Sequence, residues 1–325
     1  IKNSVSELKD INIKGIILIE SLPAVFQMEE MLYALGEYAA GLNAARWDLK
    51  ASILEYVMHD KDFVWPDRFD VTIQNTEFMS NIFRRLVAIC LKHNAVPIGG
   101  MATALPSRDE EVNIEAAKSI KADKEWEANQ GFLRAWVAHI YHMDPAAEPF
   151  KKLRESGWEP SEEMKNPDNY PVQIGNPNGT LTKEGTRQNV RTLLEYIEGW
   201  LNGRGAKGID RLAGKPGKRP ALMEDLATAR ISTGQIAQRI IHESVSEDTE
   251  EEHSFKLVKE IIKDETNDII NLLGDKVSED QKRKYNQSSK IAMKWIKNYT
   301  EYEFRSLGSY TRGDLEEIAD SPDAF

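Results

Sequence analysis

The sequence predicts an α/β fold: a (β/α)8 TIM-type barrel that lacks its N-terminal strands, followed by a small all-helical C-terminal domain. Three features predict it. Short apolar segments alternate with longer amphipathic ones, which is typical of parallel strands buried between helices. Acidic residues close several apolar segments, at the strand ends where barrel enzymes carry their chemistry. No glycine-rich phosphate-binding motif follows the first strand, which favours a barrel over an open dinucleotide-binding sheet.

Six apolar segments bounded by turn-forming or charged residues are predicted strands. The second is the weakest, because small and polar residues interrupt its pattern. Since a closed barrel of this type needs eight strands, the sequence indicates an incomplete barrel. The predicted strands span residues 13–20, 41–48, 70–75, 95–101, 136–140 and 219–224.

Segments with helical periodicity lie between these strands. The helices predicted in this part of the chain span residues 27–40, 47–58, 77–93, 111–130, 184–202 and 227–242. Two segments rich in glycine, proline and asparagine, residues 155–183 and 203–219, are predicted loops.

The character of the sequence changes after the last of these helices. Residues 243–253 form an acidic, serine-rich connector, and only helical patterns follow, at residues 254–273 and 279–306. We therefore expect a partial TIM-barrel catalytic domain over residues 1–245 and a C-terminal helical domain over residues 246–325.

The charge balance excludes several classes of function. The 325 residues include 53 Asp and Glu against 42 Lys and Arg, a formal net charge of −11. Proteins that bind nucleic acids or anionic membranes need basic surfaces, so we expect neither partner. No apolar segment is as long as a membrane span, and no signal peptide opens the chain. The sequence leaves the oligomeric state open.

The single cysteine, Cys90, lies in the apolar stripe of a predicted helix, where we expect a core residue rather than a nucleophile. A lone cysteine forms no intrachain disulfide, which suits a reducing compartment. The C-terminal residues do not match the S-K-L peroxisomal signal. Together these features predict a cytoplasmic protein.

Acidic residues end three of the predicted strands: Glu20 the first, Asp48 the second, and Glu224 with Asp225 the sixth. Each has an ordinary structural explanation, since an acid can emerge into solvent or cap the helix that follows. Together, acids at one barrel face can hold Mg²⁺, which takes one or two carboxylates and leaves positions for water and substrate. An acid left off the metal can act as a base. A zinc site is not predicted, because His139 and His142 have no third ligand at useful spacing.

Several long motifs, in the right order, resemble the malate synthase family. The resemblance runs almost from Ile13 to the helical tail. The motifs are LIESLPAVFQMEEMLYALGEYAAGLNAARWD, PDRFDVTIQNTEFMSN, HNAVPIGGMATALP, AAKSIKADKEWEANQGFLRAWVAH, LTKEGTRQNVRTLLEYIEGWLNGRG and LMEDLATARIS.

The resemblance implies a Mg²⁺-dependent Claisen condensation of acetyl-CoA with glyoxylate that gives malate and CoA in the glyoxylate cycle. In this family the glutamate of L-I-E and the aspartate of R-W-D hold Mg²⁺, here Glu20 and Asp48. The aspartate of M-E-D, here Asp225, removes a methyl proton from acetyl-CoA. The resulting enolate attacks the aldehyde of glyoxylate, and the malyl-CoA formed is hydrolysed.

Further residues are candidates for substrate binding. Arg46 and Trp47 lie at a predicted helix start, where backbone N–H groups suit the oxygens of glyoxylate. Met223 and Trp136 are candidates to line the acyl-CoA channel, with core packing as the alternative. Glu224 adjoins the implied base.

The chain departs from the family pattern in two places. Malate synthases also use an arginine on an early barrel strand to bind glyoxylate, and no residue here matches it; Arg46 and Arg230 are not its equivalents by motif. Family members often read W-V-A-H-P, whereas this chain has Ile140 in the last position, which is expected to reshape the pocket near CoA.

Two other interpretations remain open. One is a related acyl-CoA lyase, of the citrate lyase β-subunit or malyl-CoA lyase type, which uses a similar Glu/Asp metal pair. The other is a catalytically incomplete homologue or fragment, because the early strand with the family's arginine has no match here; without that strand, residues 13–19 would also lack a neighbour on one edge. On that basis we expect the 325-residue chain alone to bind Mg²⁺ poorly, to lack condensation activity and to aggregate, and an upstream segment to correct all three.

Overall fold

The computed structural model describes residue 4 and residues 11–209, 219–305 and 307–321. Among these residues the strands form two sheets. One is an antiparallel pair near the end of the barrel part of the chain, and the other is parallel with its strands in chain order. The parallel sheet consists of β1 (Gly15–Ile19), β2 (Ala39–Ala44), β3 (Val96–Ala102) and β4 (Arg134–Val137), and the antiparallel pair of β5 (Ala206–Ile209) and β6 (Leu222–Asp225).

Helices connect and flank the strands. Several begin at a side chain that satisfies a backbone N–H group of the first turn; Thr182 and Ser254, for example, each accept a hydrogen bond from the N–H three residues further on. The described helices are α1 (Leu22–Phe26), α2 (Met28–Leu35), α3 (Trp47–Val57), α4 (Glu77–Lys92), α5 (Glu110–Asn129), α6 (Met143–Glu155), α7 (Lys183–Leu201), α8 (Leu226–Ile241), α9 (Phe255–Leu273), α10 (Glu279–Thr300) and α11 (Arg312–Asp320).

The core of the barrel part lies between the parallel sheet and the helices packed on it. Helix α4 supplies a large share, because Phe78, Ile82, Phe83 and Leu86 recur at helical spacing on its buried face. Burying one such side chain stabilises the fold by about 1.5–3 kcal/mol. Cys90 is buried on the same helix, as predicted for a core residue.

Helix α8 joins the barrel part to the C-terminal helices. It packs against α3 on one side and against α7 and α10 on others, so its residues are buried nearly all round. Small residues permit this close approach: a Cβ atom added to Gly234 would lie 2.9 Å from Leu54 Cδ2 of α3. The α3–α8 packing positions the site, because α3 carries Asp48 in its first turn and α8 begins at Asp225.

The parallel sheet is open within the described residues, where β1 pairs with β2 alone and β4 with β3 alone. Ile16 and Leu18 of β1 are 41% and 40% exposed. An apolar edge strand of this kind offers unpaired backbone groups and apolar side chains to other chains. The predicted strands at residues 13–20, 41–48 and 95–101 correspond to β1, β2 and β3.

The prediction of a strand at residues 70–75 is wrong. Val71 and Ile73 are buried, which explains the apolar alternation, but the segment forms turns. Its side chains satisfy the local backbone: Asn75 Oδ1 accepts a hydrogen bond from Thr72 N at 2.9 Å, and Asn75 Nδ2 donates to the Asp70 carbonyl at 2.7 Å. Such side-chain bonds favour turns over a strand ladder.

The predicted strand at residues 219–224 exists as β6, but its parallel pairing was wrong. β6 pairs antiparallel with β5, a strand that falls inside the segment predicted as a loop at residues 203–219, of which residues 210–218 lie outside the described residues. β6 also hydrogen-bonds to the chain beyond β3, through Met223 N to Thr103 O at 2.8 Å and Leu105 N to Ala221 O at 2.7 Å.

Two further boundaries differ from the prediction. The helix predicted at residues 27–40 exists as α2 but ends before Gly36, whose φ of 52° does not continue a helix, and residues 39–40 belong to β2. The predicted strand at residues 136–140 is shifted towards the N-terminus as β4, and α6 follows it unpredicted.

Candidate active site

Three carboxylates interact electrostatically: Glu20 directly after β1, Asp48 in the first turn of α3, which follows β2, and Asp225 at the end of β6. Burial raises the pKa of Glu20, and the negative charges of Asp48 and Asp225 raise it further. Burial likewise raises the pKa of Asp48, with Asp225 adding to the effect. Mutual repulsion of this kind requires the three groups to lie close together. The structure therefore assembles the three acids that the sequence placed at strand ends.

Asp225 is the N-cap residue of α8. Its Oδ1 accepts hydrogen bonds from Ala227 N at 3.0 Å and Thr228 N at 3.4 Å, and Thr228 Oγ1 accepts one from Asp225 N at 3.0 Å. This capping box fixes the orientation of the carboxylate. Burial nevertheless raises the pKa of Asp225 above its usual range, against the effect of these hydrogen bonds. Asp225 can therefore cap α8 and also take part in proton transfer.

Arg230, one turn into α8, partly neutralises the acidic cluster. Its Nη1 lies 3.5 Å from Asp48 Oδ1, while its Nε donates to Glu55 Oε1 at 2.8 Å and its Nη2 also pairs with Glu55. Tyr299 of α10 donates its hydroxyl hydrogen to Glu55 Oε1 at 3.0 Å. This network links the Asp48 side of the site to the C-terminal helices.

A second buried ion pair holds the strand that carries Asp225. Arg68 and Glu224 are 2% and 3% exposed, and both guanidinium–carboxylate contacts between them measure 3.2 Å. The guanidinium also lies over the rings of Trp47 and Phe69, at 5.0 and 4.6 Å from their centroids. Glu224 is therefore a partner of Arg68 in the core, directly beside Asp225.

Arg46 occupies a network of its own. Its Nη2 contacts Asp123 at 2.9 Å and Glu127 at 2.5 Å. Burial opposes ionisation of Asp123, but Arg46 and Lys124 outweigh it and lower the pKa of that carboxyl to about 2. The backbone of Gly100 packs against this guanidinium, because an added Cβ would lie 2.2 Å from Arg46 Nε. The positive charge of Arg46 is therefore neutralised by the protein's own carboxylates, Asp123 and Glu127.

A cavity of about 500 Å³ lies beside the acidic cluster, with Trp47, the neighbour of Asp48, in its wall. Its cationic lining residues are Arg46, Arg68 and Lys50. Burial lowers the pKa of Lys50 to about 7, and the two neighbouring arginines contribute. The volume is within the range of small-molecule sites. Trp136 lies half-exposed on β4, and Met223 is half-buried on β6.

The donor chemistry of Glu20 and Asp48 fits Mg²⁺. Hard cations prefer carboxylate oxygens, and Mg²⁺ usually keeps several waters while using one or two protein carboxylates. Within the described residues no group of three or more His, Cys, Asp or Glu side chains is arranged to hold a metal ion. Two carboxylates with raised pKa values, open to solvent on the Glu20 side, are compatible with a cation that retains water and binds substrate.

Sequence reasoning missed the residues that hold the site together. Glu55 lies two turns after Asp48 on the same face of α3, which offered a signal for it. Arg230 of α8 pairs with Asp48 and Glu55 of α3, a contact between distant helices that local spacing does not indicate. The Arg68–Glu224 pair joins residues 156 positions apart, and nothing local in the sequence indicates it.

The fold and the site define a class: a barrel-type α/β protein with an acidic site at its strand ends and helices packed behind it. Two family models match the chain. "Malate synthase, TIM barrel domain" matches residues 2–172, and "Malate synthase, C-terminal" matches residues 180–312. The chain belongs to the malate synthase family, and the fold expected from the resemblance is confirmed at this level.

Curated relatives agree with this assignment. Malate synthase A of Escherichia coli (strain K12) is 39% identical over 234 residues, which is 71% of this chain and 42% of the relative. Malate synthase of Myxococcus xanthus (strain DK1622) is 35% identical over 243 residues, 73% of this chain and 42% of the relative. The glyoxysomal malate synthase of Candida tropicalis is 33% identical over 264 residues, 79% of this chain and 46% of the relative.

The chain thus spans less than half the length of these relatives, at 42% for the first two. None of the helices in the described ranges is both long and apolar enough to cross a membrane.

Proposed function

We propose that this chain provides the metal and base side of a malate synthase active site, for the condensation of acetyl-CoA with glyoxylate to malate and CoA. The observation that carries the proposal is the cluster of Glu20, Asp48 and Asp225, each with a raised pKa, at strand ends of a malate synthase family chain. The match of residues 180–312 to the C-terminal model of this family supports a synthase over a related acyl-CoA lyase.

Asp225 acts as the general base. It takes a proton from the methyl group of acetyl-CoA, and the enolate carbon then forms a bond to the aldehyde carbon of glyoxylate. Water hydrolyses the thioester of the malyl-CoA product, releasing malate and CoA. A thioester α-proton is weakly acidic, so a base with a raised pKa and a fixed orientation favours the transfer. The capping box supplies the orientation.

Glu20 and Asp48 would hold Mg²⁺, which when bound supplies positive charge to the aldehyde and carboxylate oxygens of glyoxylate. The backbone N–H groups of Trp47 and Asp48, in the first turn of α3, are donors suited to the same oxygens. Arg230 and Glu55 keep the Asp48 carboxylate in place.

The remaining candidate residues have different roles in this proposal. Arg46 and Glu224 are each paired with opposite charges, so they position the site rather than contact substrate directly. Trp47 lines the neighbouring cavity, and Met223 and Trp136 offer apolar surface for the acyl-CoA chain. The division of the chain at residue 245 also stays a proposal. The cytoplasmic location is likewise a proposal, since the related proteins from Candida tropicalis and Gossypium hirsutum are named glyoxysomal.

Exchange of the acetyl-CoA methyl protons with solvent deuterium tests the base. Asp225→Asn keeps an N-cap side chain, because asparagine caps as well as aspartate, but removes the basicity. We expect the variant to lose exchange while its circular dichroism spectrum is unchanged. Asp109→Asn, at the N-cap of α5, is the matched control and should exchange like the unmodified chain.

Three outcomes are informative. Loss of exchange in Asp225→Asn alone supports the assignment. Exchange that persists in Asp225→Asn overturns it. Failure of the unmodified 325-residue chain to exchange at all, while it is folded, supports the interpretation as a catalytically incomplete homologue or fragment.

A further inference from the structure

A polar groove lies between α9 and α10, away from the candidate active site. Its volume is about 390 Å³. Lys259, Lys263 and Asn267 line it from α9, at successive turns of that helix, and Asn286 and Lys290 line it from α10. We refer to these five residues as the lysine groove. Since α9 and α10 are packed against each other, cationic side chains from two elements face one space.

The charges of α9 are sorted by face. Glu265 and Asp268 point to α7, where Arg187 contacts them at 2.5 and 3.3 Å and Arg191 contacts Glu265 at 2.7 Å. The acids on that side of α9 are therefore neutralised by arginines. The described lining of the groove, by contrast, contains lysines and amides but no carboxylate. In a chain of net charge −11 this is a local positive site.

Two of the three lysines have no partner within the described residues. Neither Lys263 nor Lys290 forms an ion pair or a hydrogen bond there. These two ammonium groups, one on α9 and one on α10, are therefore available to an anion that lies between the helices.

The floor of the groove is rigid and polar. Thr266 of α9 and Ser289 of α10 are buried, and their hydroxyl oxygens lie 2.7 Å apart in a hydrogen bond. One hydroxyl donates to the other, which in turn donates to a carbonyl of its own helix; Thr266 Oγ1 lies 2.7 Å from the Ile262 carbonyl oxygen and Ser289 Oγ lies 3.0 Å from the Tyr285 carbonyl oxygen. These bonds fix the spacing of α9 and α10 beneath the lysines, so the groove is preformed.

We propose that the lysine groove is a binding site for a small anion with two or more negative charges, carried by phosphate or carboxylate groups. Lysine ammonium groups bind such anions as point charges, and the amides of Asn267 and Asn286 supply further donors. The volume accommodates an anion larger than a single phosphate. The site is separate from the carboxylate cluster and does not depend on the proposed reaction.

Calorimetric titration of the folded 325-residue chain tests the site. Sodium pyrophosphate represents phosphate anions and sodium citrate represents carboxylates. Both are titrated in metal-free buffer at one ionic strength near physiological, about 0.15 M, because screening changes with salt. The test variant is Lys263→Gln/Lys290→Gln. The matched control is Lys256→Gln/Lys294→Gln, which removes the same charge from α9 and α10 outside the groove.

We expect at least one of the two anions to bind the unmodified chain with one-site stoichiometry. The groove variant should weaken that binding by about tenfold or more, since two hydrogen bonds to charged groups are lost. The control should bind within about twofold of the unmodified chain. Equal weakening in both variants would show only a response to net charge and would overturn the proposal, as would the absence of binding by both anions. The anion that binds identifies the class of ligand.

Discussion

The buried pair of Arg68 and Glu224 gives the sharpest test of how the site is held. Arg68→Met removes the guanidinium while keeping a long apolar side chain over Trp47 and Phe69. Glu224, 3% exposed, would then be an unpaired charge in the core. Breaking such a pair from one side costs about 3–5 kcal/mol.

This cost converts to a thermal shift. With an unfolding entropy of about 2.1 cal/mol/K per residue, the 325 residues lose about 1.5 °C in Tm for each kcal/mol if the chain unfolds as one unit. Arg68→Met should therefore lower Tm by about 4–7 °C. Differential scanning calorimetry, with urea unfolding as an independent measurement, gives both quantities.

The double variant Arg68→Met/Glu224→Leu is the decisive control. Removing both charges leaves no unpaired ion, so it should recover most of the loss seen in Arg68→Met. A loss below about 1 kcal/mol in the single variant would refute the reasoning, because it would mean that water or another group compensates Glu224. A double variant that is less stable than Arg68→Met alone would refute it as well.

Two further predictions concern the metal and pH. Glu20→Gln/Asp48→Asn should abolish Mg²⁺ binding measured by calorimetry, whereas the exposed pair Glu37→Gln/Asp62→Asn should leave it unchanged; binding that survives in the first variant contradicts the ligand assignment. His253 is fully buried, and burial lowers its pKa below the ordinary value of 6.5, with Arg239 adding to the effect against Asp67 and Asp248. The unfolded chain therefore binds this proton more readily, so the contribution of His253 to stability is fully present well above pH 6.5 and is lost as the pH falls below 6.5; over that range urea midpoints should fall more steeply with decreasing pH in the unmodified chain than in His253→Gln.

The parts of the fold that the sequence predicts well are those with a local cause. β1 and β3 consist largely of apolar residues bounded by turns or charged residues, and α4, α7 and α8 show their apolar faces at helical spacing. Glu20 directly follows β1 and Asp225 ends β6, as predicted from the sequence, whereas Asp48 lies in the first turn of α3, four residues after β2 ends. For these strands and helices the local sequence pattern was sufficient to predict the element.

The incorrect strand predictions have one local and one long-range cause. The segment predicted as the third strand has the strand pattern of buried Val71 and Ile73, but the Asn75 side chain bonds to the Thr72 N–H and the Asp70 carbonyl, which a neighbouring strand would otherwise have paired. The antiparallel pairing of β5 with β6 depends on where the chain returns, which no local pattern contains. The same holds for the Arg68–Glu224 pair.

A chain of charged and hydrogen-bonded side chains connects the C-terminal helices with the carboxylates at the barrel strands. Glu20 and Asp48 repel each other, and Arg230 is the cation that lowers the pKa of both. Arg230, however, also pairs with Glu55, so part of its charge is already neutralised. The hydroxyl of Tyr299 donates to Glu55, which places a residue of α10 in the same network. With Glu20 and Asp48 as the proposed Mg²⁺ ligands, this incomplete neutralisation would leave negative charge for the cation, and Tyr299 of α10 would help to set how much.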